Sequence, residues 1–242
     1  MLYTLEIATF TLPAAFQAQA AGAHRLELCE NPQDGGTTPS MGMLSVIRKL
    51  IHIPVFPIIR PRGGHFVYTA DEQAVMLEDI ALCRQLGFPG LVTGALLPNG
   101  DIDVSFMEKV IQLAGPMEVT FHRAFDRCRD PLQSLEVLIE LGCCRILSSG
   151  QRPSVADGIE LVRTLVQQAA GRIIMLPGSG LNSRNVAHIA QVSGAREFHT
   201  AARCQVRDES VFSPSGMQES MSYVGVDVEE VAKILAELKR IS

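Results

Sequence analysis

The sequence predicts an α/β protein built as a (βα)8 barrel of the TIM type, in one domain that spans residues 1–242. Eight short apolar runs start 22 to 36 residues apart, with helix-period segments between them. A chain of 242 residues is close to the length of about 250 that such a barrel needs, and no linker divides it. The runs begin at Leu2, His24, Pro54, Gly90, Met117, Cys144, Arg172 and Arg196.

The helical segments carry start and stop signals. Thr69 and Glu72 have the spacing of a capping box, in which each side chain accepts a hydrogen bond from the other residue's backbone N–H. Asp130 is expected to cap a helix that starts at Pro131, and Asn182 to cap the segment SRNVAHIAQVS. Each helix then stops at a glycine: Gly87, Gly142 and Gly194. The alternation of helix and strand predicts a parallel sheet.

An open, doubly wound sheet is the alternative architecture. It is less favoured because no GxGxxG turn follows the first apolar run. Residues 201–225 form a long polar connection between the eighth strand and the last helix. Loops of this length are often functional, and we expect this one to be a lid or a subunit contact.

Composition and charge exclude several classes of protein. The net charge is −5 and no block of basic residues exists, so we expect no nucleic-acid partner. No segment is long and apolar enough for a membrane span, and the N-terminus carries Glu6 early and lacks a basic leader. The six cysteines show no CxxC spacing, which indicates reduced thiols. We therefore expect a cytoplasmic protein.

Polar side chains occur where the predicted strands end, and in a barrel these ends carry the functional groups. We expect Glu6 or Glu27 to pair with Arg60 or Arg123, and one glutamate to act as a general base near His122. The candidate catalytic residues are therefore Glu6, Glu27, His122 and Arg123. The alternative is that these side chains form ion pairs that only close the top of the barrel.

A glycine-rich turn in MLPGSGLNSRN follows the seventh run and precedes a helix. Such turns present backbone N–H groups and a positive helix end to an anion, although an ordinary βα turn can have the same sequence. In PIIRPRGG, two arginines emerge beside a proline and two glycines, which suits a carboxylate or phosphate ligand. The predicted anion-binding residues are Arg60, Arg62, Gly178, Ser179, Gly180 and His199.

Cys29 is the candidate metal ligand. It lies at a strand end, and thiolate sulfur is a ligand that copper(I) prefers. Met41 and Met43 follow it, but methionine at the start of a helix more often fills a gap in the core.

The chain resembles the CutC family of cytoplasmic copper homeostasis proteins along nearly its whole length. The resemblance lies in RLELCE, DGGTTPS, PIIRPRGGHFVY, GFPGLVTGALLPNGDID, VTFHRAFD, RILSSG, IIMLPGSGL and EFHTAA, which occur in the family's order. It implies a (βα)8 barrel, a homodimer, and a link to copper tolerance or copper(I) binding. Family members often place a cysteine after the first strand's glutamate, where this chain has Ala8, so a site with two thiolates is not available.

Two hypotheses of function follow. The first is a copper homeostasis protein that binds copper(I) weakly through Cys29, with help from His122 or His199. The second is an enzyme or binding protein for a small anionic metabolite, phosphorylated or carboxylated. The missing cysteine at Ala8 favours the second, and the sequence leaves open whether a reaction is catalysed.

Overall fold

The computed structural model describes residues 3–242, in which strands and helices alternate. The strands are β1 (Thr4–Thr9), β2 (Arg25–Leu28), β3 (Val55–Pro57), β4 (Gly90–Thr93), β5 (Glu118–Phe121), β6 (Arg145–Ser148), β7 (Ile174–Pro177), β8 (Glu197–Thr200), β9 (Arg203–Val206) and β10 (Tyr223–Val226). The α-helices are α1 (Leu12–Ala20), α2 (Met41–Leu50), α3 (Ala70–Gln85), α4 (Val104–Ala114), α5 (Pro131–Leu141), α6 (Ile159–Ala169), α7 (Val186–Ser193) and α8 (Val228–Arg240). Each predicted run contains a strand, although Leu2, where the first run begins, lies outside the described residues.

Strands β1 to β8 form the predicted parallel barrel. They pair in two groups of four, in the orders β3-β2-β1-β8 and β4-β5-β6-β7. A parallel bridge between Ile58 and Val92 joins the groups on one side. On the other side β7 lies beside β8, although no backbone pairing links these two strands within residues 3–242. The (βα)8 barrel is confirmed.

The sequence alternates along the strands because successive side chains point to opposite faces. In β1, Leu5 and Ile7 face outward and are fully buried in a cluster with alanines of α1. Burial of each such leucine or isoleucine stabilises the fold by roughly 1.5–3 kcal/mol. The intervening Glu6 points into the barrel, where it bonds to Arg25 and His199. An apolar layer thus surrounds a barrel whose interior is partly charged.

Two of the three predicted helix caps are confirmed. Thr69 and Glu72 form the capping box of α3, and Asp130 accepts two backbone N–H bonds at the start of α5. The prediction for Asn182 is wrong, because α7 begins at Val186. Asn182 instead closes a turn that precedes the helix: its side chain accepts from the N–H of Arg184 at 3.0 Å.

The long connection after β8 is not wholly irregular. Its two ends form an antiparallel ribbon, β9 with β10, in which Arg203 pairs with Val226. The tip of the ribbon exposes four apolar side chains: Val211, Phe212, Met217 and Met221. Arg203, at the base of the ribbon, lines the cleft described below. Whether the ribbon is a lid or a subunit contact stays a prediction. Among the described helices, none has the length and apolar character that crossing a membrane requires.

Candidate functional site

A cleft of about 1430 Å³ opens at the carboxyl ends of the barrel strands. Seven of the eleven predicted site residues line it: Glu27, Arg60, His122, Arg123, Ser179, Gly180 and His199. The other four, Glu6, Cys29, Arg62 and Gly178, do not. The expectation that functional groups lie at the strand ends therefore predicted the position of the cleft, but four of the predicted residues lie outside it.

Glu6, His199 and Glu27 form a chain of buried polar groups beneath one side of the cleft. Glu6 lies in the middle of β1, not at its end, and is 1% exposed. Its Oε1 is 2.8 Å from His199 Nδ1, and His199 Nε2 is 3.7 Å from Glu27 Oε2. Glu27 ends the chain at the cleft wall. The imidazole therefore hydrogen-bonds to Glu6 and lies within ion-pair distance, but outside hydrogen-bond distance, of Glu27.

The three groups shift one another's pKa. Burial opposes the charge of Glu6, but Arg25 and His199 outweigh burial and lower the pKa of Glu6 to about 2. Burial also opposes the charge of His199, yet its bond to Glu6 and the charge of Glu27 raise the pKa of His199. Burial raises the pKa of Glu27, despite the attraction of His199. Glu6 is therefore ionised, the charged form of His199 is favoured, and Glu27 is the carboxylate best suited to accept a proton.

A second set of charges fills the barrel below Glu6. Arg25 pairs with Glu6 and with Glu197, whose Oε2 lies 2.7 Å from the guanidinium. Arg145 donates to the same Glu197 oxygen at 2.8 Å. Both guanidiniums lie over the ring of Phe56, at 5.2 and 5.4 Å from its centroid. This network, which sequence reasoning missed, fixes the position of Glu6.

A sequence pattern could have revealed the network. Arg25 and Glu27 are two residues apart in β2, and Glu197 and His199 are two residues apart in β8. Residues at this spacing share a face of a strand, and the residues between them are apolar and face the helices. Charges at alternate positions of an apolar run therefore predict a charged barrel interior.

His122 occupies the other side of the cleft, after β5. Its ring lies 4.9 Å from that of Phe66, and Nδ1 accepts the N–H of Ala124 at 3.2 Å. Its Nε2 is buried and has no partner within residues 3–242. Burial and the charge of Arg60 lower the pKa of His122 to about 3, so the ring is neutral at physiological pH. Gly94 makes room for it, because a Cβ there would lie 2.7 Å from Nδ1.

The predicted pairing of Glu6 or Glu27 with Arg60 or Arg123 is wrong. Arg60 lies inside a loop junction, where its guanidinium donates to the backbone carbonyls of residues 34, 36 and 64. Arg123 bonds to Asp126 at 2.8 Å and to a serine hydroxyl after β6. Each arginine bonds to groups in the loops at the end of its own strand. These groups are nearer to its guanidinium than the carboxylates inside the barrel are.

Arg62 does not lie in the cleft as an anion-binding residue. It bonds to Glu72, the residue of the α3 capping box, and to three backbone carbonyls. Pro61 and the glycines after it turn the chain, as predicted, but they direct Arg62 toward α3. Its role is to hold this loop against the helix.

The glycine-rich turn after β7 has two separate roles. Gly178 donates its N–H to the carbonyl of Ser148, so it is not an anion donor. A Cβ at Gly178 would lie 3.1 Å from the His199 ring, so this glycine gives the histidine its space. The N–H groups of Gly180 and Leu181 donate to no group within the described chain, which leaves them available to a ligand.

Cys29 does not fit a copper site. It is buried outside the cleft and bonded to Glu27, and burial, with the nearby Glu27, raises its thiol pKa well above the ordinary value. A thiol that stays protonated is a poor metal ligand. Met41, the sulfur suggested as its companion, is exposed to solvent. No group of three histidine, cysteine or acidic side chains in residues 3–242 is arranged to hold a metal ion.

The fold and the cleft define a (βα)8 barrel protein with a polar, partly charged mouth. The chain belongs to the CutC family, whose sequence model matches residues 3–204. It is 46% identical to a CutC family protein of Chromobacterium violaceum, over 92% of this chain and 90% of the relative. It is 50% identical to one of Salmonella paratyphi B, over 82% of this chain and 79% of the relative. The resemblance seen in the sequence is confirmed.

A solved structure from Streptococcus agalactiae agrees with this assignment. It is described as a "Putative Copper Homeostasis Protein CutC", and it superposes on this chain with a TM-score of 0.79 at 33% identity. The superposition covers 82% of this chain and 98% of the other. The solved structure therefore agrees with the family and with the barrel fold of this chain.

Proposed function

We propose that the chain binds a small anionic metabolite in the cleft and performs acid–base chemistry on it through Glu27. One observation carries the proposal: the chain of Glu6, His199 and Glu27 ends in a carboxylate that lines the cleft. Ion pairs that only closed the barrel would not need an imidazole between two carboxylates. His199 and Glu6 are positioning residues, and Glu27 is the group that meets the ligand.

The anion is expected to bind at the loops after β7 and β8. The free N–H groups of Gly180 and Leu181 lie there, as they do in many barrels that bind phosphate. Arg184 and Arg203 line the same part of the cleft, and neither belongs to an ion pair within residues 3–242. Arg203 lies over the ring of Phe10, 4.9 Å from its centroid, which leaves its N–H groups without a carboxylate partner in the described chain. Two such guanidiniums beside the N–H groups of Gly180 and Leu181 suit a phosphate or a carboxylate.

Thermal unfolding and calorimetric titration test the binding. Inorganic phosphate, glycerol 3-phosphate and glycerate are expected to raise the Tm of the wild-type protein, and the double variant Arg184→Ala/Arg203→Ala should lose most of this shift. Arg163→Ala is the matched control, because this arginine lies on α6 outside the cleft and is exposed. An unchanged Tm with every anion, or an equal loss in the control, would contradict the proposal.

Copper(I) binding at Cys29 is the second candidate, and membership of the CutC family favours it. The protonated, buried thiol argues against it. We expect reduced wild-type protein and Cys29→Ala to compete equally for copper(I) against a chromogenic chelator, with Cys144→Ala as the control. A loss of copper(I) in Cys29→Ala alone would establish the thiol as a ligand. The cytoplasmic location and the homodimer stay predictions.

A further inference from the structure

His122 holds a buried hydrogen-bond donor that no group in residues 3–242 accepts. Its Nδ1 accepts the backbone N–H of Ala124, so this nitrogen carries no proton. The neutral ring must then carry its proton on Nε2. That Nε2–H is buried and unpartnered in the described chain, although His122 lines the cleft.

An unpaired buried donor is costly to a fold, by about 1–3 kcal/mol. The surroundings of His122 nevertheless hold the ring in place: Phe66 packs on it, and Gly94 leaves it just enough space. The side chain is 4% exposed, so the donor is not satisfied by bulk solvent. A fixed donor of this kind in a cleft wall points to a ligand oxygen that completes it.

The charge of the imidazole ring determines which kind of ligand oxygen can accept this hydrogen bond. Burial and Arg60 keep the imidazole neutral, so it cannot attract an anion by charge. A neutral imidazole N–H can stabilise an oxygen on which negative charge develops during a reaction, because its position is fixed in advance. A carbonyl oxygen that becomes an enolate is such an oxygen.

We propose that the ligand carries a carbonyl group, whose oxygen accepts the hydrogen bond of His122 Nε2–H, and that Glu27 removes a proton from the adjacent carbon. This inference rests on the proposed function, since it uses the same anion site and the same base. It adds the substrate class: small phosphorylated or carboxylated hydroxycarbonyl compounds.

The electron and proton balance closes without a further reactant. The Glu27 carboxylate takes the proton, the C–H electron pair forms a carbon–carbon double bond, and the carbonyl π pair moves onto oxygen. His122 stabilises this enolate oxygen by its hydrogen bond. Glu27 then returns the proton to the same carbon, or to the neighbouring carbon once the hydroxyl proton has moved to the first oxygen.

Hydrogen exchange in D₂O tests the inference. Dihydroxyacetone phosphate and hydroxypyruvate are incubated with the full chain, and proton NMR follows deuterium entry at the carbon next to the carbonyl. Glycerol 3-phosphate and glycerate, which lack the carbonyl, are the matched controls. We expect exchange only with the carbonyl compounds. Glu27→Gln should abolish it, and Arg163→Ala should leave it unchanged.

Variants of His122 identify the donor. His122→Phe should slow exchange about a hundredfold, as loss of one preorganised donor does in other enzymes. His122→Gln retains an N–H and should recover part of the rate, whereas a purely structural role would show no such rescue. In the wild type, the plot of exchange rate against pH should contain no step between pH 5 and 8 that is due to ionisation of His122.

The outcomes separate the two proposals. If glycerol 3-phosphate and dihydroxyacetone phosphate both raise the Tm but no exchange occurs, the carbonyl inference is overturned and the anion site stands. If none of the four compounds raises the Tm, the proposed function fails and the inference with it. Equal exchange in wild type and a correctly folded His122→Phe would remove His122 from the chemistry.

Discussion

The two histidines of the cleft make a natural comparison, because they are alike in position but their pKa values shift in opposite directions. His122 follows β5 and His199 lies near the end of β8, and each packs against a glycine that follows the preceding strand. Both are buried, which by itself lowers the pKa of an imidazole. The pKa of His122 falls to about 3, whereas that of His199 rises.

The neighbouring groups, not the depth of burial, cause the difference between the two pKa values. His199 lies between two carboxylates, and their attraction outweighs the cost of burying a charge. His122 has Arg60 and an aromatic ring beside it, and the one hydrogen bond that its ring makes within residues 3–242 requires an unprotonated Nδ1. One cleft thus contains an imidazole that favours its charged form beside Glu27, the proposed base, and a neutral imidazole donor, and the proposed proton abstraction next to a carbonyl would use Glu27 together with that donor.

The largest effect is expected from removing the cation that holds the His199 side together. Arg25→Met leaves Glu6 and Glu197 as buried carboxylates with fewer partners, which should lower the free energy of unfolding by about 3–5 kcal/mol. Urea denaturation at pH 7 measures it. Arg240→Met, which breaks an exposed pair on α8, is the control and should change little. Equal stability of Arg25→Met and wild type would mean that the network is dispensable.

The two histidines should give stability opposite pH dependences. Below pH 6.5 the unfolded chain protonates His122 and the folded chain does not, so this group removes about 2–3 kcal/mol of stability by pH 4.5. His122→Gln should lack this loss. The raised pKa of His199 contributes stability that is full below pH 6.5 and lost as pH rises through the folded pKa. His199→Gln should therefore be more damaging at pH 6 than at pH 9.

Unfolding curves of the wild type and of both glutamine variants, recorded at matched pH values, measure how the free energy of unfolding depends on pH. Groups far from both histidines cancel when a variant is compared with wild type at one pH, whereas Glu6 and Glu27, whose pKa values depend on His199, contribute to the His199→Gln difference. Parallel curves for the two variants would show that the histidines do not differ in charge, and the comparison would fail.

The glycines beside the histidines should differ in how much a methyl group costs. Gly94→Ala places its Cβ against the His122 ring itself, at 2.7 Å from Nδ1. Gly178→Ala first meets the end of Leu147, at 2.6 Å, and the His199 ring only at 3.1 Å. We expect losses of roughly 1–3 kcal/mol, with Gly94→Ala the larger. Gly216→Ala, where the space is open, is the control.

The sequence predicted the barrel well because the strand signal is local. Short apolar runs and the caps of the helices between them depend on near neighbours, so the sequence alone predicts all eight barrel strands. The Asn182 cap failed for the same reason: its side chain could cap a helix or close a turn, and the packing of the loop chose the turn.

The site was predicted only in part because its contacts cross the barrel. Glu6 and His199 are separated by 193 positions along the chain, and no local pattern pairs them. Reading only strand ends brought Glu27, His122 and His199 together correctly, but it overlooked Arg25, which lies inside the barrel. Gly178 was assigned to anion binding for its N–H, whereas its function is the space that it leaves.

The smallest effect concerns Glu230, which lines the His199 side of the cleft near the predicted anion site. Its carboxylate accepts the N–H and the hydroxyl of Ser183, at 2.6 and 3.0 Å, and so occupies donors that an anion could have used. Glu230→Gln removes one negative charge from the cleft, which should strengthen glycerol 3-phosphate binding about two- to threefold. Calorimetric titration measures this, with Glu237→Gln on the same helix as the control. Weaker binding in Glu230→Gln would mean that the carboxylate orders the loop around Ser183 for the ligand, and that the His199 side of the cleft depends on this carboxylate as well as on Glu6 and Glu27.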